Sequence, residues 1–194
     1  MDKSKKKLAL QIIQTLRQNG HEAYFVGGCV RDLLLKKNPK DFDVATNATP
    51  KEVGAIFPRT VVVGAQFGVM IVIVGGENFE VATFRSDKGY ADGRHPTGVR
   101  FTNAKEDALR RDFTVNGLFY DPVKREVMDW VSGEKDLKKK IIRAIGDPEK
   151  RFTEDKLRML RAVRFASVLG FKIEPRTFLA IKKLAHKIDE VSHE

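Results

Sequence analysis

Two aspartates one residue apart, Asp41 and Asp43, form a pattern that could support metal chemistry. On a β-strand alternate side chains share a face, so the carboxylates would point the same way while Phe42 and Val44 face the apolar side. Mg²⁺ prefers oxygen ligands and usually takes one or two carboxylates together with substrate phosphates. The pair therefore predicts a magnesium site at Asp41 and Asp43.

A glycine pair, Gly27-Gly28, lies upstream of the aspartates, after a short apolar run at 24–26 that predicts a buried strand. Glycine lets the backbone turn tightly and approach a ligand, and the apolar residues that follow predict a helix over 30–35. The N-terminus of a helix attracts anions, and Arg31 lies in its first turn. The segment therefore predicts a phosphate site.

A third carboxylate, Glu80, lies on a predicted strand over 79–83. It would join the aspartate pair only if its strand is next to theirs. The alternative is that Glu80 is a solvent-facing charge, which is the usual role of a glutamate on a strand.

Arg111, Asp112 and Asn116 lie between a predicted helix that begins near Asn103 and an apolar segment over 113–119. Arginine offers forked hydrogen bonds to phosphate, and aspartate accepts hydrogen bonds from ribose hydroxyls. This combination suits a nucleotide pocket, although such triplets are also common on helix surfaces.

Asp155 and Arg158 lie on a long helix predicted from about Thr153 to Leu169. Asp155 can accept from the amino group of cytosine or adenine, and Arg158 can donate to the adjacent ring nitrogen or carbonyl, which would select C and A over U and G. Arg161 and Arg164, on following turns, would hold the triphosphate or the base. The alternative is a surface ion pair that contributes roughly a few tenths of a kcal/mol.

The remaining pattern predicts a mixed sheet flanked by helices. An amphipathic helix is expected over 4–19, and strands over 60–64 and 69–74 precede the one at 79–83. Residues 86–98 show no period and are predicted to form a loop, in which His95 is interpreted as a surface histidine.

The composition is typical of a globular protein, with 194 residues, 42% hydrophobic and 32% charged. The single cysteine, Cys29, excludes an internal disulfide framework and fits a reducing compartment, and no apolar run is long enough to span a membrane. The cytoplasm is therefore expected. Residues 138–194 carry 15 Lys and Arg against 8 Asp and Glu, which favours a polyanionic partner over a merely solvated basic face.

Taken together, these motifs resemble the class II tRNA nucleotidyltransferase and bacterial poly(A) polymerase family from about Ala23 to Phe171. The residues that carry the resemblance are Gly27-Gly28 with Arg31 and Asp32, Asp41-Phe42-Asp43, the segments 80–85 and 110–116, Asp129 with Gly133 and Asp136-Leu137, and Glu154-Asp155 with Arg158. Each motif alone is weak, whereas their ordered combination is specific.

The resemblance implies an α+β fold: a nucleotidyltransferase head over 1–138, with a mixed, mainly antiparallel sheet, and an all-helical neck over 139–194. It implies template-independent addition of CMP and AMP from CTP and ATP to the 3′ end of tRNA or another RNA, with two Mg²⁺ ions and release of pyrophosphate. Asp41 and Asp43 would bind metal, with Glu80 near the primer end, and residues 86–98 would be a flexible loop. Arg111 and Asp112 would contact ribose and phosphate, and Asp155 and Arg158 the base.

Within this family the tRNA enzymes are favoured, because the poly(A) polymerases carry an arginine-rich segment where this chain has Gly64 to Val69. An enzyme that adds only the terminal A remains an alternative. Outside this activity, the alternatives are a catalytically silent nucleotide- or RNA-binding module and nucleotidyl transfer to a protein or small molecule. The chain is expected to be a truncated piece, and protein partners are left unspecified.

Overall fold

The computed structural model describes residues 3–90, 93 and 96–190. Its helices are α1 Lys3–Gln18, α2 Gly28–Leu34, α3 Pro50–Ile56, α4 Ala104–Leu109, α5 Gly133–Lys139, α6 Pro148–Glu154, α7 Leu157–Leu169 and α8 Pro175–Leu184. Its strands are β1 Ala23–Val26, β2 Asp43–Thr46, β3 Thr60–Gly64, β4 Val69–Val74, β5 Glu77–Thr83, β6 Arg85–Tyr90, β7 Pro96–Phe101, β8 Phe119–Asp121, β9 Glu126–Met128, β10 Ile141–Ile142 and β11 Lys172–Ile173.

Seven strands form one sheet in the order β3-β4-β5-β2-β1-β8-β9. The pairs are antiparallel except β2 with β5, which is parallel and joins the two halves of the sheet. This confirms the predicted mixed, mainly antiparallel sheet flanked by helices. The helical part that follows also contains a two-residue parallel pair, β10 with β11, which had no signal in the sequence.

The sheet is covered by apolar side chains on both faces. Val44 and Val81 belong to the larger buried cluster, into which Ile12 of α1 packs, whereas Ala45 and Phe84 belong to a smaller cluster with α4. Because side chains alternate along a strand, Asp43 lies on the same side of β2 as Ala45. The side with the smaller cluster therefore has room for a functional site at the start of β2.

The helix predicted from Thr153 to Leu169 is two helices, and the single-helix prediction was wrong. Helix α6 ends at Glu154, and Asp155 adopts an extended backbone conformation, with φ −142° and ψ 103°. The Asp155 Oδ1 atom accepts a hydrogen bond from the Leu157 N–H at 3.0 Å, and the Lys156 N–H donates to the Gly93 carbonyl at 2.9 Å. These two bonds replace the intrahelical ones, so the chain turns between the helices.

The predicted loop over 86–98 is in large part a hairpin, because β6 and β7 pair antiparallel from Arg85 with Phe101 to Tyr90 with Pro96. This prediction was wrong for a physical reason: neither strand packs one face into the core, so no apolar alternation marks them. His95 lies outside the described residues.

None of the helices that the structure describes is long and apolar enough to cross a membrane.

Candidate nucleotide and metal site

The three predicted acidic residues lie around the point where β2 and β5 begin to pair, with Glu80 in the middle of β5. Val44 pairs with Val81 in the parallel register, so Asp43 and Glu80 directly precede the first residues that pair between these two strands. Glu80 is exposed, and Asp41 is exposed two residues before Asp43. The strand that carries Glu80 is therefore the neighbour of the strand that carries Asp43, as a shared site requires.

The surroundings of Asp43 disfavour its charge. Its burial, followed by the nearby charge of Glu80, raises the pKa of Asp43 to about 6, against an opposing effect of Arg111 and a further rise from Asp41. A cation placed among these carboxylates would relieve the repulsion, and their oxygens are donors that Mg²⁺ accepts. Among the described residues, no group of three or more His, Cys, Asp or Glu side chains could hold a metal alone. The donor set fits an ion shared with substrate phosphates.

Asp41 has an ion-pair partner in α1. Its Oδ1 atom lies 2.9 Å from Lys5 Nζ, and its side chain is 78% exposed. The same Lys5 ammonium lies 3.9 Å from Glu77 Oε2. A metal at Asp41 would therefore compete with the Lys5 ammonium group.

A cleft of about 600 Å³ lies between the sheet and α7. Asp43 lines this cleft, whereas Asp41 and Glu80 do not. All ten residues predicted to bind nucleotide also line it, namely Gly27, Gly28, Arg31, Arg111, Asp112, Asn116, Asp155, Arg158, Arg161 and Arg164.

On the sheet side of the cleft, Gly27 makes room for Arg111. Gly27 has a φ of 70°, and a Cβ atom there would lie 3.1 Å from Arg111 Nη1. Arg111 donates from Nε and Nη2 to Asp107 Oδ2, at 3.2 and 2.9 Å. Burial alone would raise the pKa of Asp107, but Arg111 and Arg110 hold this pKa below its usual value. Arg111 is thus fixed by a buried carboxylate while it faces the cleft.

Asp112 and Asn116 connect α7 to α2 across the cleft. Arg161 donates to Asp112 Oδ2 from Nε at 2.9 Å and from Nη2 at 2.6 Å. The Asn116 amide donates to Asp112 Oδ1 at 3.2 Å and accepts from Arg31 Nη1 at 2.8 Å. Asp112 Oδ1 also accepts from the Phe113 N–H at 2.7 Å. The roughly four lone-pair positions of the carboxylate are therefore filled by protein donors, and a ribose hydroxyl would have to replace one of them, of which the Asn116 amide at 3.2 Å is the longest.

Arg158 lies against both acids predicted to orient it. Its Nη1 is 3.2 Å from Glu154 Oε2 and its Nε is 3.7 Å from Asp155 Oδ2. Burial raises the pKa of Asp155, against the opposing charge of Arg158. Arg158 is only 8% exposed, so the alternative of a solvated surface ion pair does not describe it.

Phe165 is a cleft residue that the sequence analysis missed. The guanidinium carbons of Arg31, Arg161 and Arg164 lie 5.4, 5.2 and 4.9 Å from its ring centroid. The ring meets the buried Phe113 edge-to-face at 5.9 Å. Its one sequence signal is its place directly after Arg164.

The hairpin adds a second missed residue, Tyr90. Its hydroxyl donates to Asp87 Oδ2 at 2.8 Å and lies 3.5 Å from Arg158 Nη2. Burial, with the hydrogen bond to Asp87, raises the pKa of Tyr90 to about 12. Tyr90 was not predicted as a site residue, because 86–98 was expected to be an irregular loop and only the hairpin register brings Tyr90 towards α7.

The chain is similar in sequence to a known family and to several curated proteins. The family model described as the poly A polymerase head domain matches residues 23–143. The CCA-adding enzyme of Oceanobacillus iheyensis is 50% identical over 187 residues, which cover 96% of this chain and 46% of the relative. The CCA-adding enzyme of Lactobacillus helveticus is 48% identical, with 96% and 47% covered.

Two solved structures are similar in fold. The Bacillus stearothermophilus CCA-adding enzyme in complex with CTP is 44% identical with a TM-score of 0.89, over 98% of this chain and 46% of that one. A tRNA nucleotidyltransferase complexed with a primer tRNA and an incoming ATP analog is 29% identical with a TM-score of 0.75, over 93% and 52%. The chain spans about half the length of these relatives. Since the matched segment covers more than half of the residues, the chain belongs to the family of the poly A polymerase head domain.

Proposed function

We propose that the protein adds CMP and AMP, from CTP and ATP, to the 3′ end of tRNA and releases pyrophosphate. The observation that carries this proposal is the single cleft that brings Asp43 together with Arg111 and with the Asp155–Arg158 pair. CCA-adding relatives that are 50% and 48% identical support tRNA as the acceptor and oppose poly(A) synthesis.

Asp41 and Asp43 would hold the two Mg²⁺ ions together with the nucleotide phosphates. Bound there, the metal would lower the pKa of the attacking hydroxyl and neutralise charge on the departing pyrophosphate. In the transfer, the 3′-hydroxyl oxygen bonds to the α-phosphorus, the bond from that phosphorus to the bridging oxygen breaks, and pyrophosphate leaves. The hydroxyl proton passes to a carboxylate of the group, for which Glu80 lies next to Asp43.

Positioning accounts for most of what the chain itself contributes to phosphoryl transfer. Gly27, Gly28 and Arg31 lie where the backbone can approach the triphosphate at the start of α2, and Arg111 faces them from a fixed position. Asp112 and Asn116 would orient the ribose from the same wall. Arg161 and Arg164 add positive charge from α7.

Base selection is assigned to Asp155 and Arg158. Asp155 has one oxygen occupied by the Leu157 N–H, which leaves the other to accept from an amino group. Arg158 is held by Glu154 and can donate to a ring nitrogen or carbonyl of the same edge. Cytosine and adenine present this pattern, and uracil and guanine present the opposite one.

We place the division between the catalytic head and the neck near residue 138. The large sheet ends with β9, and helices α6 to α8 follow the division. A reducing cytoplasmic location agrees with the single buried Cys29.

The test is incorporation by the purified protein, in the longest form its gene encodes, on a tRNA that lacks its terminal CCA. With Mg²⁺ and labelled CTP and ATP, the expected product is three nucleotides longer and does not grow further. Asp41→Ala should abolish incorporation and leave CTP binding selective over UTP. Long A tails, equal labelling of an unstructured RNA, or full activity of Asp41→Ala would contradict the proposal.

A further inference from the structure

A second, smaller groove lies beside the Asp41–Asp43 segment, on the side away from the nucleotide cleft. Its volume is about 210 Å³, and it is formed by the start of α1, the end of α2 and the residues that lead into β2. Its lining includes Lys6, Leu33, Lys36, Lys37, Pro39 and Phe42. We name it the lysine groove.

The lysine groove is strongly positive. Among the residues that the structure describes, three lysines and no carboxylate line it, and Lys36 and Lys37 are exposed. Within the described part of the chain, none of the three forms an ion pair. Lysine ammonium groups that have no internal counter-ion attract phosphates and release counterions when they bind them.

The groove adjoins the predicted metal site from the side opposite the nucleotide cleft. Phe42, on the groove wall, lies between Asp41 and Asp43 in the chain, and Lys5, next to Lys6 on α1, contacts Asp41. Asp43 lines the nucleotide cleft and Asp41 does not. A second substrate that must reach the same carboxylates therefore has open access from the side of Asp41.

We propose that the lysine groove binds backbone phosphates of the RNA strand just upstream of its 3′ end. This inference rests on the proposed function, because it supplies the path of the acceptor strand. The groove is smaller than the roughly 300 Å³ at which ordinary ligand pockets begin, so it suits one group of a polymer rather than a free nucleotide.

The chemistry of the groove favours phosphate over base contacts. Its one aromatic residue, Phe42, is buried and packs on Phe25 with ring centroids 5.3 Å apart. No ring is therefore offered for base stacking, which single-strand binding proteins use to hold bases. Binding in the groove is then independent of sequence and sensitive to salt.

The test compares two triple variants that remove the same charge. Lys6→Gln with Lys36→Gln and Lys37→Gln changes the groove, and Lys135→Gln with Lys138→Gln and Lys139→Gln changes an exposed surface on α5 beside Asp129 and Glu134. RNA affinity is measured by fluorescence anisotropy at several salt concentrations. The groove variant should lower the slope of log affinity against log salt by about 2, since each lost single-strand phosphate contact removes about 0.7. CTP affinity should not change.

The α5 variant should keep the slope of the unmodified protein. An equal change in both variants would show diffuse attraction only, and an unchanged slope in the groove variant would remove the groove from the path. Either result overturns the proposal. If the unmodified protein did not bind CTP, that result would instead count against the proposed function. Failure of the groove proposal and failure of the proposed function are therefore distinguishable.

The position of the strand is tested with RNA in which single linkages near the 3′ end are neutral methylphosphonates. In the unmodified protein, neutralising one of the last few linkages should weaken binding several-fold. In the groove variant the same change should have little further effect, because the partner of that phosphate is already gone. Additive losses would contradict a direct contact.

Discussion

At the residue scale, the clearest feature is a carboxylate kept in an unfavourable place. Asp43 is partly buried beside Glu80 and Asp41, and this environment raises its pKa to about 6. A group with a raised acid pKa binds a proton more readily in the folded than in the unfolded state. The charge on Asp43 therefore opposes folding at neutral pH, which is the expected cost of a site prepared for a cation.

Asp43→Asn should therefore stabilise the metal-free protein at pH 7 while it abolishes nucleotide addition. The stability of the unmodified protein should fall as pH rises from about 4 to 6, since the folded state releases its proton only near the higher value. The gain in the variant should be about 1–2 kcal/mol, from about 1.4 kcal/mol per pKa unit discounted for partial exposure. Urea unfolding between pH 4 and 8, in chelator, measures it.

Asp41→Asn is the matched control, because that exposed carboxylate pairs with Lys5 and no burial opposes its charge. It should not increase stability. If the stability of Asp43→Asn depended on pH in the same way as that of the unmodified protein, the charge of Asp43 would not be what opposes folding.

The sequence predicted those site residues whose chemistry is visible in their type. Carboxylates and arginines near glycine turns could be assigned because few other roles explain the combination, and all ten predicted nucleotide-binding residues line one cleft. Phe165 could not be predicted, because an apolar residue in a helix usually belongs to the core. Its role depends on three guanidinium groups, one of them from α2, that only the folded chain brings to its ring.

Phe165→Leu should weaken CTP binding by about tenfold with a smaller effect on stability. The ring attracts Arg31, Arg161 and Arg164 without occupying their N–H donors, and each such contact contributes about 0.5–1 kcal/mol. Isothermal titration of CTP gives the affinity. Phe165→Tyr should restore it, and Phe178→Leu, at an exposed site on α8, should have no effect. Equal losses in the Leu and Tyr variants would contradict the stacking role.

At the scale of elements, predictions succeeded where apolar runs between glycines mark a strand. The strands over 60–64 and 69–74 match β3 and β4 in this way, although the valines of β3 are exposed. The break at Asp155 and the hairpin of β6 and β7 were missed because both depend on contacts made elsewhere. The Gly93 carbonyl, far from α7 in the chain, binds the Lys156 N–H.

Packing of α5 against the Thr114–Asn116 turn, a 3₁₀ helix, gives a further prediction. A Cβ atom at Gly133 would overlap the Thr114 carbonyl oxygen and lie 2.9 Å from Leu118 Cδ2. Gly133→Ala should lower the free energy of unfolding by about 2–3 kcal/mol, since overpacking against backbone cannot relax by a side-chain rotation. Thr114 lies two residues after Asp112, which lines the cleft. A shift of the Thr114 backbone should displace Asp112, so CTP binding should weaken as well.

Gly117→Ala is the control for the same region. Its added Cβ would lie close to two side-chain ends, Val131 Cγ2 at 2.8 Å and Ile145 Cδ1 at 3.0 Å, and at an ordinary contact distance of 3.5 Å from the Thr114 carbonyl oxygen. Its loss of stability in urea unfolding should be the smaller of the two. A larger loss of stability in Gly117→Ala than in Gly133→Ala would show that the backbone of the turn adjusts more easily than the side chains do.

At the scale of the whole molecule, the cleft has two walls that come from distant parts of the chain. The sheet side carries Gly27 and Arg111, and the helical side carries Asp155 and Arg158, over a hundred residues after Asp43. Asp112 joins the walls through Arg161. Phosphate binding and base selection should therefore be separable functions of one cavity.

Two substitutions on opposite walls should separate these functions. Arg111→Ala should weaken binding of CTP, ATP, UTP and GTP by a similar factor, about tenfold or more, because the triphosphate is common to all. Arg158→Ala should leave UTP and GTP binding nearly unchanged and weaken CTP and ATP by about tenfold to a hundredfold, since one base-edge contact contributes about 1–3 kcal/mol. Competition binding of all four nucleotides to each variant measures both effects, with Lys183→Ala, at an exposed position of α8, as a control. If Arg158→Ala weakened all four equally, α7 would contact phosphate instead, and base selection would have to lie elsewhere in the cleft.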